Sequence, residues 1–466
     1  MFARLVQKEL LSHLLDFRFI AVFALCALLS VLSVYVGTRT YLRQMEQHQT
    51  VTESNRSFTQ QSLKIPERTA DDLFRWGILW NRRPEVLSPV VFGLSGTVGQ
   101  EVHLQHQRLF VFEDSPFAVD PVNALFEILD FAFIVKVILS LCVLLLTYDA
   151  ICGEKEAGTL RLYASFAVPR STLALAKLIG STIAVLVPFV FAYLLASTVL
   201  TLSPGVRLQG VDWGRMAALM VVFGLYLVVF AAFGLWMSAL THRRMTAFLG
   251  LLGLWTVWVF VVPNVSWRIS QSLLPIENFY GLEKQSDGLR WEAIKGSHDE
   301  RENYRKRNLI QDWNALSEPQ RQEVRDHERE IDEKWDAYLY SRLKDMQAQR
   351  RNQMHRQHDL ASVVSSISPL GAVSLVSMDL ARTGPVQHER IENALSGYLI
   401  YVSQFIQDKF YRIKSAAMDF SWFTYQDSEG LGECLSRNAF HILNLALLAI
   451  LGFAGAYVAI LRYDVR

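Results

Sequence analysis

Six apolar runs interrupt an otherwise polar chain, at residues 19–37, 131–147, 172–201, 216–240, 246–262 and 439–461. Each is about long enough to cross roughly 30 Å of hydrocarbon as a helix, so each predicts a transmembrane span. The polar stretches between them are very unequal. Two are long, residues 38–129 and 266–437, and the rest are short turns. Ahead of the first span, Phe2, Leu5, Val6, Leu10, Leu14 and Leu15 recur near helical spacing among charged residues, which predicts an amphipathic helix lying in the interface over residues 1–18. With flanking polar residues included, the spans become 19–37, 130–148, 172–201, 216–240, 246–265 and 438–461. They are separated by 38–129, 149–171, 202–215, 241–245 and 266–437 and followed by a tail at 462–466. Pro188 is placed as a kink in the third span, and Pro263 as the close of the fifth.

The two long insertions read differently. Residues 38–129 carry five prolines and short apolar runs, which predicts a small mixed domain, helical near 70–80 and β-containing near 108–113. In the second insertion Val324, Ile331, Trp335, Leu339, Leu343 and Met346 recur at gaps of seven, four, four, four and three behind a capping-box pattern, Ser317-Glu318-Pro319-Gln320. One long amphipathic helix is expected there, broken at Ser368-Pro369-Leu370-Gly371. The fold class is therefore mainly α: a polytopic membrane protein with six spans, an N-terminal interfacial helix and two soluble insertions, the second largely helical.

Composition agrees with this. Hydrophobic residues make up 51% of the 466, too many for a wholly soluble protein of this length. The formal net charge of +1 and the lack of a basic block with interleaved aromatics argue against nucleic acid as a partner. Cys26 and Cys142 lie in apolar runs and only Cys434 in a long insertion, so no disulfide framework is expected, and no CxxC motif occurs. Six spans put both ends of the chain on one side. Lysine and arginine flank the spans on that side at Arg4, Lys8, Arg18, Lys155, Arg161, Arg170, Arg243, Arg244, Arg462 and Arg466, against Arg207 and Arg215 on the other. Both termini and the turn at 149–171 are thus expected in the cytoplasm, and both insertions outside.

Enzymatic chemistry finds little support. No G-x-x-x-x-G-K-[ST] sequence is present, so no P-loop can cradle nucleotide phosphates. Residues 94–100 echo an ATPase signature peptide only superficially. His103 with His106 and His355 with His358 are spaced i, i+3 rather than the i, i+4 of a zinc-binding helix face, and read as surface histidines. No metal site and no catalytic residue is expected. Lys136, the one charge in the second span, lies within two turns of its end, and its side chain is expected to snorkel to the interface.

The chain is organised around the polar island between spans two and three, Gly153-Glu154-Lys155-Glu156-Ala157-Gly158-Thr159-Leu160, followed by a stretch of small residues and Val168-Pro169-Arg170. Its charges must lie at or beyond the membrane surface, and Gly153 and Gly158 bracket room for a two-turn helix across the bilayer face. This pattern resembles the cytoplasmic loop of type-2 ABC exporter permeases. Arg83-Pro84-Glu85-Val86-Leu87-Ser88, Asp130, Ser368-Pro369 and Thr383-Gly384 resemble landmarks of a bacterial subfamily with large external insertions between spans one and two and between spans five and six. The resemblance implies a non-catalytic permease in the bacterial inner membrane, joined by two ABC ATPase subunits and a second permease, identical or a sister. ATP and Mg would be bound by the ATPases, with no cofactor in this chain. The implied coupling residues are Gly153, Glu154, Lys155, Glu156, Gly158, Thr159 and Leu160, with the charges meeting an ATPase groove and Leu160 anchoring in an apolar pocket. Spans two and five are implied to line the subunit interface. The alternative is a mechanotransmission complex acting on an envelope protein that contacts the external domains; a membrane enzyme or scaffold ranks below both.

Overall fold

The computed structural model describes residues 2–64, 78–95, 99–104, 112–113, 130–159, 169–276, 279–310, 316–411, 422–425, 427 and 429–463. Among these, helices dominate, and six are long and apolar enough to cross a membrane. The amphipathic α1 (Phe2–Leu14) precedes α2 (Phe17–Lys64). A short antiparallel sheet follows, β1 (Ile78–Asn81), β2 (Glu101–Leu104) and β3 (Phe112–Glu113), with Trp80 opposite Val102 and Val102 opposite Phe112. Then come α3 (residues 131–147), α4 (Cys152–Glu156), α5 (Arg170–Leu202), α6 (Gly210–Leu240) and α7 (Arg244–Leu273). The rest of the chain forms α8 (Phe279–Arg307), α9 (Glu318–Ser365), α10 (Pro369–Leu380), α11 (Pro385–Tyr411), α12 (Leu431–Arg437) and α13 (Ala439–Leu461).

Several helices run past the apolar patterns that announce them. α2 does not stop at Gly37 but continues to Lys64, because residues 38–64 contain neither proline nor glycine to break it, and Tyr41 and Gln44 are buried along it. Residues 78–81, expected to close a helix, form β1 instead; Ile78 and Trp80 are β-formers and pair with β2, while residues 70–77 lie outside the described residues. Pro263 does not end the fifth span. It follows a π-helical stretch, Val257–Val261, and the helix continues to Leu273. A second π stretch, Ile134–Leu139, lies in α3. There the Lys136 carbonyl accepts from Tyr226 Oη at 2.5 Å and from Ser140 Oγ at 2.7 Å, and Ser140 Oγ in turn accepts from Trp255 Nε1 at 2.9 Å. Tyr226 of α6 and Ser140 of α3 itself thus take up a carbonyl that an α turn would have satisfied, and Trp255 of α7 holds that serine in place.

α6 is the centre of the bundle. Tyr226, Phe223, Phe230 and Leu219 on it are fully buried against α3, α5 and α10. Its broadest contact is with α13, where a Cβ on Gly452 would stand 2.8 Å from the Ala232 Cβ, so a small residue sets the helix separation. Outside the bundle, α8 and α9 form an antiparallel hairpin. Trp335 of α9 lies on Gly296 of α8 and donates to Glu300 at 2.8 Å, and the expected capping box at Ser317 and Gln320 opens α9. The hairpin is anchored to the bundle by Ser270 Oγ donating to the Gln357 carbonyl, by Gln357 Nε2 donating to the Leu274 carbonyl at 2.7 Å, and by Ser368 Oγ donating to the Trp258 carbonyl.

Candidate functional site

The turn between α3 and α5 is fixed from several sides. At its start the N–H groups of Ile151 and Cys152 both donate to Ser238 Oγ at 3.0 Å, and Ser238 is fully buried near the end of α6. Two buried donors without an acceptor would cost about 1–3 kcal/mol each, so this serine determines where α4 begins. Lys155 reaches back to donate to the carbonyls of Ala239 and Thr241, the latter at 3.2 Å, and its ammonium lies 4.7 Å from the Tyr463 ring. It closes the C-terminus of α6, where unpaired carbonyls and the helix dipole favour a cation.

Glu154 turns inward as well. Its carboxylate accepts from Lys177 Nζ of α5 at 2.6 Å, and the same ammonium donates to both carboxylate oxygens of Glu9 in α1 at 3.3 Å. The side chains of Lys177 and Glu9 are 3% and 7% exposed, so this is a buried cluster joining three elements. Burial acts to raise the Glu9 carboxyl, but the charges and hydrogen bonds of Lys177 and Lys8 together outweigh it, and the group is held below the usual carboxylate range. His13, one turn on, faces Ser181 at 3.1 Å, and burial holds it below the usual histidine range. Arg18 at the start of α2 binds Asp149 at 2.8 Å and covers the Tyr148 ring.

The predicted site residues therefore divide into two sets. Gly153 is buried, with the Arg244 guanidinium where a side chain would be: a Cβ would lie 3.0 Å from Nε. Glu154 and Lys155 are tied to the bundle. Glu156, Gly158 and Thr159 are exposed together with Ala157. Glu156 accepts from the Arg244 backbone N–H at 3.2 Å and makes a loose pair with the same residue's guanidinium, 3.7 Å apart and about half exposed on both sides. Gly158 has φ +73°, which ends the turn in the left-handed region. Leu160 lies outside the described residues. The helix itself has five residues, Cys152–Glu156, rather than two turns, because the chain is drawn back toward α6 at Lys155. Lys177, Glu9 and Ser238 are the contributors that the motif alone misses.

At the other end of α6 a second polar centre holds the polypeptide together. Arg215, fully buried, donates to the carbonyls of Leu380 and Glu429 at 3.2 Å. Asp379 and Glu429 accept from Arg437 at 2.7 and 2.6 Å, and Arg390 adds a bond to Glu429 at 2.7 Å. Burial opposes the charge on Glu429, but the two guanidinium groups more than offset it and hold the carboxyl at about 2. Asp379, Glu429 and Cys434 stand close enough to share a cation. Arginine nevertheless already occupies both carboxylates, and burial pushes the Cys434 thiol up to about 12, so the donor set is an ion-pair clasp that does not fit a metal.

Comparison with known proteins agrees with this architecture. A segment of 130 residues is 34% identical to the probable ABC transporter permease protein NosY of Stutzerimonas stutzeri, covering 27% of this chain and 45% of that protein, so the match spans less than half the relative's length. The family described as ABC-2 family transporter protein matches residues 3–464. Six spans, a bundle centred on α6, a tethered turn between the second and third spans and a family match along nearly the whole length place this chain among the type-2 ABC transporter permeases.

Proposed function

We propose that this permease is the membrane subunit of an export-type ABC complex and that residues 149–159 pass the motion of an ATPase to the spans. One observation carries the reading. The turn is joined to α1, α2, α5 and α6 through Glu9, Arg18, Lys177 and Ser238, while Glu156 to Thr159 present an exposed edge to a partner. A partner pressing on that exposed knuckle would move four helices at once. ATP and Mg belong to two ATPase subunits, a second permease completes the complex, and this chain does no bond chemistry. The turn faces the cytoplasm of a bacterium, in its inner membrane, and the insertions face outward.

A second reading has support in the long hairpin. α9 alone extends about 70 Å at 1.5 Å per residue and is anchored to α7 through Ser270 and Gln357. Such a lever suits mechanotransmission to an envelope protein without passage of a substrate.

The coupling role is tested with Glu156→Lys combined with Thr159→Glu. Both residues are exposed, and the bonds Glu156 makes to Arg244 lie at the surface, where water can replace them, so insertion and folding are expected to be unchanged. Association with the cognate ATPase in pull-downs and its turnover in nanodiscs should be lost. Complex yield and turnover near those of the parent would refute the coupling role.

A further inference from the structure

At the end of α6 opposite the coupling turn, a cavity of about 610 Å³ opens between α2, the β1 segment, the start of α6 and the chain around residues 422–427. That size falls within the roughly 300–1,000 Å³ typical of small-molecule sites. Six arginines line it against three acids. Arg215 is already held by Glu429 and its neighbouring carbonyls, and Arg382 pairs with Asp427 at 2.8 Å. Asp212 is taken up by the backbone N–H of Gln209 at 2.8 Å as part of the cap that starts α6.

Four guanidinium groups remain: Arg56, Arg82, Arg83 and Arg207. Among the described residues none of them has an acid within ion-pair distance. Arg56 lies over the Trp422 ring at 5.7 Å, which orients it without neutralising it. Arg82 is only 8% exposed. A buried cation that lacks a close ion pair is costly: burial pushes Arg82 down, and the nearby Glu85 charge offsets this only in part. The remaining acid, Glu85, accepts from Gln387 at 3.2 Å, and burial raises its carboxyl to about 7, so near neutral pH it supplies only part of a charge.

The rest of the wall is aromatic. Phe423 stands edge-on to Trp80 with centroids 5.5 Å apart and beside Tyr398 at 5.1 Å. Guanidinium forks match phosphate and carboxylate oxygens, and flat rings accept a planar or apolar body. We propose that this cavity binds an organic anion of at least two negative charges, phosphate or carboxylate, whose apolar part lies on the Trp80–Phe423–Tyr398 wall. The source of that chemistry is either a free solute or an anionic lipid headgroup. The inference does not rest on the coupling role, since α6 separates the two sites along its full length.

The test is calorimetric titration of the full chain in phosphatidylcholine nanodiscs. The probes are 1-naphthyl phosphate, naphthalene-1,4-dicarboxylate and dihexanoyl phosphatidic acid, with 1-naphthol as the uncharged control. At least one anion should bind saturably with a micromolar Kd, more weakly as salt rises, and far more tightly than naphthol. Arg83→Gln combined with Arg207→Gln changes two exposed residues and leaves the fold intact; it should weaken binding about tenfold or more, as should Arg82→Gln if it folds. Binding by the naphthyl anions assigns the site to a soluble solute, and binding by the phosphatidic acid alone assigns it to a lipid. No saturable binding by any of the three, equal binding of naphthol, or unchanged affinity in the Arg83/Arg207 variant would each overturn the proposal.

Discussion

Replacing Lys177 by methionine keeps the volume of the side chain and removes its charge, leaving Glu9 with only the half-exposed Lys8 and Glu154 with no cation at its inner oxygen. Removing one member of a buried ion pair costs about 3–5 kcal/mol, because the stranded charge stays desolvated. Glu154 keeps 22% of its side chain exposed and can recover some water, so the lower end, about 3 kcal/mol, is the expected value. The cost falls on the docking of α1 against α5, which the cluster joins to the turn at 149–159. Backbone amides of residues 2–14 should then exchange about a hundredfold faster, measured by hydrogen exchange in nanodiscs at constant pH. The triple variant Lys177→Met, Glu9→Gln, Glu154→Gln has no stranded charge and should return most of the protection. Exchange within about threefold of the parent in the single variant, or no recovery in the triple, would refute the cluster as the tie between α1 and the turn.

Ser238→Ala removes the acceptor of two buried N–H groups and should destabilise the start of α4 by about 2 kcal/mol or more, read as faster exchange at Ile151 and Cys152. Gly234→Ala would bring a methyl group 2.1 Å from Thr147 Oγ1 and should lower the yield of folded protein in detergent, with partial recovery by Thr147→Ala. A histidine held below its ordinary value favours the neutral form, so the docking of α1 should weaken as pH falls below 6.5, whereas Glu9, shifted the other way relative to its charge, stays ionised through that range. Intrinsic-rate-corrected exchange of α1 at pH 7.5 and 5.5 measures this, and His13→Gln should flatten it. For orientation, native Cys152 and Cys434 are both fully buried and poor reporters. Cysteines introduced at Thr159 and Arg207 are exposed, and in sealed cells an impermeant thiol reagent should label only the second; labelling of the first would reverse the assignment.

Most of the bundle can be read from the sequence because hydrocarbon imposes a strict requirement: a charge-free run of the right length has no other stable conformation there. The sixth span follows its apolar run residue for residue, 439–461. Patterning fails where polarity stops being informative about helix ends. Residues 38–64 are mostly polar yet continue α2, and Pro263 does not end its helix, which carries on from the π stretch before it. At the turn between the second and third spans, residue types show that charges must leave the membrane but not which way they point. Lys177 stands in an apolar run, which is itself a signal, but its partner Glu9 is 168 residues away and no spacing rule connects them. The same holds for Arg215, counted as a loop charge in sequence and found as the buried hub of contacts to residues 164 to 214 positions further on.

The π stretches in α3 and α7 have a mechanical meaning. A π turn holds one residue more than the α turn it replaces, so converting one to regular α advances everything beyond it by a single residue, about 100° of rotation and 1.5 Å of travel. The hydrogen bond from Trp255 to Ser140 joins the two helices just beside these stretches; one stretch lies two turns of helix before the turn at 149–159, and the other leads to the anchor of the long hairpin. Each span thus contains a ratchet tooth. Its two halves can be re-indexed against each other without unfolding, and a twist delivered at one membrane face need not arrive at the other as the same twist.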